Sequence, residues 1–219
     1  MLRLLFEKKG NAIWISHLDL MRLFQRSFKR AGLRLTHTQG FNPRPSVSIA
    51  LPLSVGVESQ CELLDFQLDG APVACDEILT RLNAALVEGV RVLSVYEGGQ
   101  KIRNLSYLDC TVAMEYDCGI PEGAEAAISA LFRREEVLVT KRSKNGATAQ
   151  NIIPMIRSLR VDREDDHTLA LHARICCQNP SLNPMQLSAA VEKELPDLAP
   201  DFAGCRRNEI YDSQENIFR

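Results

Sequence analysis

The sequence predicts an α+β fold made of two consecutive units, each an antiparallel sheet with helices on one face. Three observations lead there. Strand-like and helix-like stretches follow one another as β-α-β-β-α-β through roughly the first hundred residues. A looser version of the same order recurs in the second half, and between them lies GGQKIRN, residues 98–104, a glycine-rich charged stretch suited to a boundary.

LRLLFEKKG opens as a strand with Leu2, Leu4 and Phe6 on one side. In IWISHLDLMRLFQRSFKRAGL, Ser16 is placed to cap a helix and Asp19, three residues on, to complete a capping box. Ile15 is placed to staple onto Leu20, and Gly32 to end the helix in a left-handed conformation. Leu20, Leu23, Phe24, Phe28 and Ala31 recur at helical spacing and form the expected core stripe. SVSIALPL and CELLDFQLDG follow as strands, with PLSVGVESQ as a hairpin connection. ACDEILTRLNAALVEG then reads as a helix and VRVLSVYEG as a strand.

In the second half LDCTVAMEY reads as a strand, EGAEAAISALFRR as a helix, and EVLVTKRSK, NIIPMIRSLRVD and TLALHARIC as three strands. NPMQLSAAVEKEL is a helix with Asn183 as cap, and FAGCRRNEIY a final strand. The expected architecture is therefore two tandem ferredoxin-like (split β-α-β) units, residues 1–98 and a divergent 105–219 that carries one inserted strand.

With 45% hydrophobic and 25% charged residues the chain has ample core material and lies far from the composition of disorder. No run of about 18 apolar residues occurs, which excludes a membrane-spanning helix. The opening MLRLLFEKKGNAIWI places its charges after its first apolar residues, the reverse of a signal peptide, so a cytoplasmic location is expected. Seven cysteines without regular spacing then read as reduced thiols, and neither they nor the four dispersed histidines suggest a metal site.

The net charge of −2 hides an asymmetry: residues 1–45 hold nine of the 26 Lys/Arg and only two of the 28 Asp/Glu. Arg22, Arg26, Lys29 and Arg30 recur at helical spacing opposite the core stripe, and the helix runs into THTQGFNPRP. Gly40, Pro43 and Pro45 give that loop a defined backbone, while Gln39, Asn42 and Arg44 supply donors and Phe41 a ring able to stack on a base. A face of one charge sign beside a rigid loop points to a polyanion, RNA being the leading class. The expected anion-binding set is His17, Arg22, Arg26, Lys29, Arg30, Gln39, Phe41, Asn42 and Arg44.

His17 and His37 each have the chemistry of a general base, so a small RNA-processing nuclease is an alternative reading. Glu58, Glu62 and Asp65 form an acidic patch that reads as ordinary sheet surface, and Lys141, Arg142, Lys144, Arg157 and Arg160 are basic residues able to extend a positive surface. No phosphate-binding glycine loop, nucleophile elbow or three-cysteine cluster is present. No cofactor or catalytic residue is therefore assigned.

SHLDLMR, TQGFNPRP and PLSVGVES, in that order, resemble the radical-SAM-linked (radical-SAM-associated) proteins, a bacterial family of unknown function; the resemblance is specific over residues 1 to about 96. Ser16, His17, Asp19, Arg22, Gln39, Gly40, Phe41, Asn42, Pro43 and Arg44 fall on its motif positions. The resemblance implies a partner, a separate radical SAM enzyme of the cobalamin-binding type, more than an activity. Two readings follow, a non-catalytic accessory module that binds RNA or another polyanion, and a protein that docks on the enzyme without nucleic acid.

Overall fold

The structure is a computed structural model and describes residues 1–143 and 146–219. Lys144 lies outside the described residues. The fold is mixed α+β, with four helices and antiparallel strand pairs among the described residues. It divides into two compact units, Met1–Asn104 with Arg219, and Leu105–Phe218.

The first unit runs β1 (Leu2–Lys8), α1 (His17–Arg30), β2 (Val47–Ile49), β3 (Val57–Phe66), α2 (Cys75–Ala85) and β4 (Val90–Glu97). Its sheet order is β4-β1-β3-β2, with every neighbouring pair antiparallel. Leu4 and Phe6 of β1 are fully buried beneath Leu20, Phe24 and Phe28 of α1 and Ile78 and Leu82 of α2. The Phe6 and Phe24 rings meet edge-on at 4.8 Å, and Phe28 meets Phe66 at 4.9 Å, which fixes α1 over the centre of the sheet. Each such side chain contributes roughly 1.5–3 kcal/mol by leaving water.

Strand alternation puts Arg3 on the opposite side of β1. It is fully buried and held by Asp65 through two bonds, Nε to Oδ1 at 2.6 Å and Nη2 to Oδ2 at 3.0 Å. Lys8 is also buried, and its ammonium donates to the carbonyls of Ile13, Ile15 and Ser54 at 3.0, 3.2 and 3.4 Å. That side chain ties the turn before α1 to the PLSVGVES segment, where Gly56 N–H adds a bond to Ile13 O at 2.9 Å. β3 is longer than its sequence suggests: VESQ, read as connector, is strand, with Val57, Ser59 and Cys61 buried. Glu62 is buried and accepts the Ser59 hydroxyl at 2.8 Å, so Glu58, Glu62 and Asp65 do not share one exposed acidic patch.

The second unit runs β5 (Leu105–Glu115), α3 (Ala124–Leu131), β6 (Leu138–Ser143), β7 (Gly146–Asn151), β8 (Ile156–Arg163), β9 (Thr168–Cys176), α4 (Met185–Glu194) and β10 (Phe202–Asp212). Its strand order is β10-β5-β9-β8, again antiparallel throughout, while β6 and β7 pair as a separate hairpin. Val112, Met114, Leu169, Leu171 and Ile175 supply the buried strand positions, and Ile128, Leu131, Leu187 and Val191 those of the helices.

β7 is not legible in the sequence, since GATAQN is largely exposed and has no apolar alternation. NIIPMIRSLRVD is not one strand: Pro154 lacks the N–H a ladder needs, residues 153–155 form a 3-10 turn, and β8 starts at Ile156. Asn183 does cap α4, accepting the Met185 N–H at 3.1 Å while Gln186 accepts the Asn183 N–H at 3.2 Å. Among the described residues no helix is long and apolar enough to cross a membrane. The seven cysteines are reduced, and burial pushes the Cys205 thiol up to about 12.

Candidate anion-binding site

α1 begins where the sequence indicates. The Ser16 hydroxyl accepts the Asp19 N–H at 3.2 Å and donates to the Asp19 carboxylate at 2.8 Å, so the reciprocal contact of the capping box goes to the hydroxyl. The helix ends at Gly32, φ 68°, where Leu33 N–H bonds Phe28 O at 2.9 Å and Gly32 N–H bonds Lys29 O at 3.1 Å. That double closure needs a left-handed residue, which glycine adopts without a Cβ penalty.

Four cations lie along the helix, and they differ in what else they hold. Arg22 pairs with Asp19 at 2.8 Å, and the Ser16 hydroxyl together with Arg22 holds the Asp19 carboxyl below the usual carboxylate range. Arg30 turns to the neighbouring helix and donates to Ala85 O at 2.6 Å and to the Ser27 hydroxyl at 3.1 Å. Arg26 and Lys29, one turn apart, present their charges to solvent.

The loop after α1 is a narrow projecting hairpin. His37 bridges Pro45, Thr38 N–H bonds Arg44 O at 2.8 Å, and the Thr38 hydroxyl accepts the Arg44 N–H at 3.0 Å. Its stem is anchored by a Leu35–Leu68 bridge and by Thr36 N–H on Gln67 O at 2.9 Å. Gln39, Phe41, Asn42 and Arg44 are exposed at the tip, Phe41 completely so.

Helix and loop meet at a pocket of about 310 Å³. Phe28 and Leu33 line its apolar part, Lys29 one wall, and His37 and Pro45 the loop stem. Arg34 and Asp69, 3.9 Å apart, complete the rim. Lys29 is thus the sequence-predicted cation that shares a lining with the loop, whereas Arg34 stands outside the sequence-predicted set. The Leu33/Leu35 alternation, which sets Arg34 outward, is the signal that points to it. His17 and His37 do not come together: His17 opens α1 and His37 lies past its far end, roughly 20 Å along the axis. The His17 Nδ1 is buried with no hydrogen-bond partner among the described residues.

Among the described residues no group of three or more His, Cys, Asp or Glu is arranged to hold a metal ion. Among curated proteins no relative matches the chain. Its fold is similar to that of a chain in the crystal structure of a Cbf5-Nop10-Gar1 complex, with TM-score 0.50 and 9% identity over 95% of this chain and 48% of that one. A chain in the structure of an H/ACA RNP bound to a substrate RNA containing 2'-deoxyuridine scores 0.47 at 8% identity, covering 94% and 46%. One in the archaeal box H/ACA sRNP Nop10-Cbf5 complex scores 0.45 at 9%, with the same coverage. The protein spans about half the length of these solved chains, and at 9% identity the likeness to the first concerns the fold alone. A family model described as "Uncharacterized protein conserved in bacteria (DUF2344)" matches residues 1–184, and the chain belongs to that bacterial family.

Proposed function

We propose that the first unit is a non-catalytic module that grips single-stranded RNA through Arg26, Lys29, Arg34 and the loop tip. The observation that carries this reading is the pocket where Lys29, Arg34 and His37 converge beneath a loop whose Phe41 is wholly exposed. Cations there meet phosphates, and the ring offers a stacking platform indifferent to base identity. Arg22 and His17 extend the contact toward the amino-terminal end of α1, Gln39, Asn42 and Arg44 hydrogen-bond at the tip, and Arg30 contributes through the field alone because its guanidinium is engaged at Ala85.

We read both units as ferredoxin-like, on the strength of their matching strand orders once the β6–β7 hairpin is set aside. The domains proposed from this are residues 1–98 and 105–219. The partner proposed is a separate radical SAM enzyme in the cytoplasm, to which this chain presents the bound strand.

The test is retention of a single-stranded oligoribonucleotide by the wild type and by Arg26→Glu/Lys29→Glu over a range of salt. Binding should weaken linearly in log salt, and the steepness of that dependence should drop by roughly 0.7 for each phosphate that the variant no longer neutralises. Equal retention by both proteins at low salt overturns the reading.

A second reading, docking on the enzyme without nucleic acid, has one observation in its favour. Trp14, Leu18 and Val55 are exposed by 62%, 66% and 52%, and Trp14 lies against Gly56 beside Val55. A partner complex that survives nuclease treatment but not Trp14→Ser supports it, and one dissolved by nuclease refutes it.

A further inference from the structure

After β10 the chain turns back through residues 213–216. The Asp212 carboxylate accepts the N–H groups of Gln214 at 2.9 Å and Asn216 at 3.0 Å, and Glu215 is held at φ 63°. Among the described residues it is the one non-glycine residue in the left-handed region, which glycine occupies at no cost. Nothing in the turn requires a carboxylate at that position. What the glutamate gains lies outside the turn: Oε1 accepts from Arg157 Nε at 2.9 Å and Oε2 from Arg174 Nη1 at 2.8 Å.

One carboxylate between two guanidinium groups occupies the geometry in which arginines hold a phosphate. Arg174 is fixed independently of Glu215. Asp109 takes its other edge at 2.7 and 2.9 Å, and the Arg174 Cζ lies over the Tyr211 ring, 3.9 Å from its centroid. From Arg174 a pocket of about 370 Å³ opens along the face of the second sheet turned away from the buried strand positions, lined by Asp109, Ser158, Arg160, His172 and Asn208, with Arg160 paired to Asp162 at 3.2 Å. Its size lies within the range of small-ligand sites, and its walls offer donors and acceptors suited to a sugar and a base.

We propose that Arg157 and Arg174 form a phosphate subsite, that Glu215 fills it as a built-in competitor, and that the adjoining pocket takes the nucleoside of the same nucleotide. The site belongs entirely to the second unit, so it goes beyond the loop reading and does not depend on it.

The experiment uses the full chain with AMP and inorganic phosphate as probes. Glu215→Gly removes the carboxylate and suits the left-handed turn, and Glu215→Gln keeps the side-chain volume without the charge. Both should bind AMP at least about tenfold more tightly than the wild type, an effect of one displaced ion-pair acceptor. Adding Arg157→Gln should remove the gain. Wild-type affinity in both Glu215 variants, or a gain that survives Arg157→Gln, overturns the proposal, and AMP binding no better than phosphate overturns its nucleoside part. Tighter binding of a 5'-phosphorylated oligoribonucleotide than of AMP identifies a strand as the source of the phosphate, and the reverse order a free nucleotide.

Discussion

Arg30 and Arg81 close each other's helices: Arg30 of α1 donates to Ala85 O at the end of α2 at 2.6 Å, and Arg81 of α2 donates to Ala31 O at the end of α1 at 2.8 and 2.6 Å. Each cation meets the carbonyl end of the other helix dipole. Arg30→Ala and Arg81→Ala should each cost about 1 kcal/mol in urea denaturation. Arg30→Ala should leave RNA retention closer to wild type than Arg26→Ala or Lys29→Ala does. If Arg30→Ala abolishes retention while stability holds, the division of labour along α1 is wrong.

Burial works against the charge of Arg3, but the hydrogen bonds and charge of Asp65 outweigh it and hold the guanidinium pKa above its ordinary value. Asp65→Ala takes the paired carboxylate away from a buried cation and should lower stability by about 3–5 kcal/mol. The double variant Arg3→Met/Asp65→Ala should recover most of the loss, because the guanidinium goes together with the carboxylate it pairs with. Urea midpoints of the two proteins decide this.

Phe41 is wholly exposed, so its ring buries nothing on folding. Phe41→Ala should leave stability to urea within about 0.5 kcal/mol of wild type and weaken single-strand binding by about 1–3 kcal/mol. Fluorescence anisotropy with a labelled oligoribonucleotide reads the second effect, and unchanged affinity removes Phe41 from the site.

Gly89 and Gly10 both have positive φ, 83° and 56°, but their surroundings differ. A Cβ on Gly89 would lie 2.5 Å from Lys9 O and 2.8 Å from Ala12 Cβ, whereas none of the neighbouring atoms comes within 4 Å of one on Gly10. Gly10→Ala should therefore cost only the left-handed penalty of about 1–2 kcal/mol. Gly89→Ala should cost distinctly more, with thermal denaturation of the two variants as the comparison.

The Asp19 carboxyl is held below the usual range by the Ser16 hydroxyl and by Arg22. A depressed folded-state pKa stabilises the fold above the unfolded value, and that contribution disappears as pH falls through the folded pKa. The first turn of α1 should therefore persist at about pH 5 and loosen in acid below the ordinary carboxylate range. An NMR titration of the Asp19 carboxyl and the Leu20 amide follows both events together, and titration of Asp19 at or above the usual range contradicts the capping arrangement.

The limits of α1 were legible because its signals are local: Ser16, the Leu20/Phe24/Phe28 stripe and Gly32 act within a turn or two of themselves. The loop was legible for the same reason, Gly40 and two prolines defining its backbone. Asp69 and Arg81 carry no comparable mark, because what they do depends on Arg34 and Ala31, tens of residues away. Periodicity and short-range sterics along the chain fix the α+β alternation and the amphipathic helix, and composition fixes the cationic bias of the first 45 residues. Which charges remain exposed and which are taken by a carbonyl or a carboxylate emerges once the chain has folded, because hydrogen-bond partners are chosen by distance in space and one arginine looks like another along the chain.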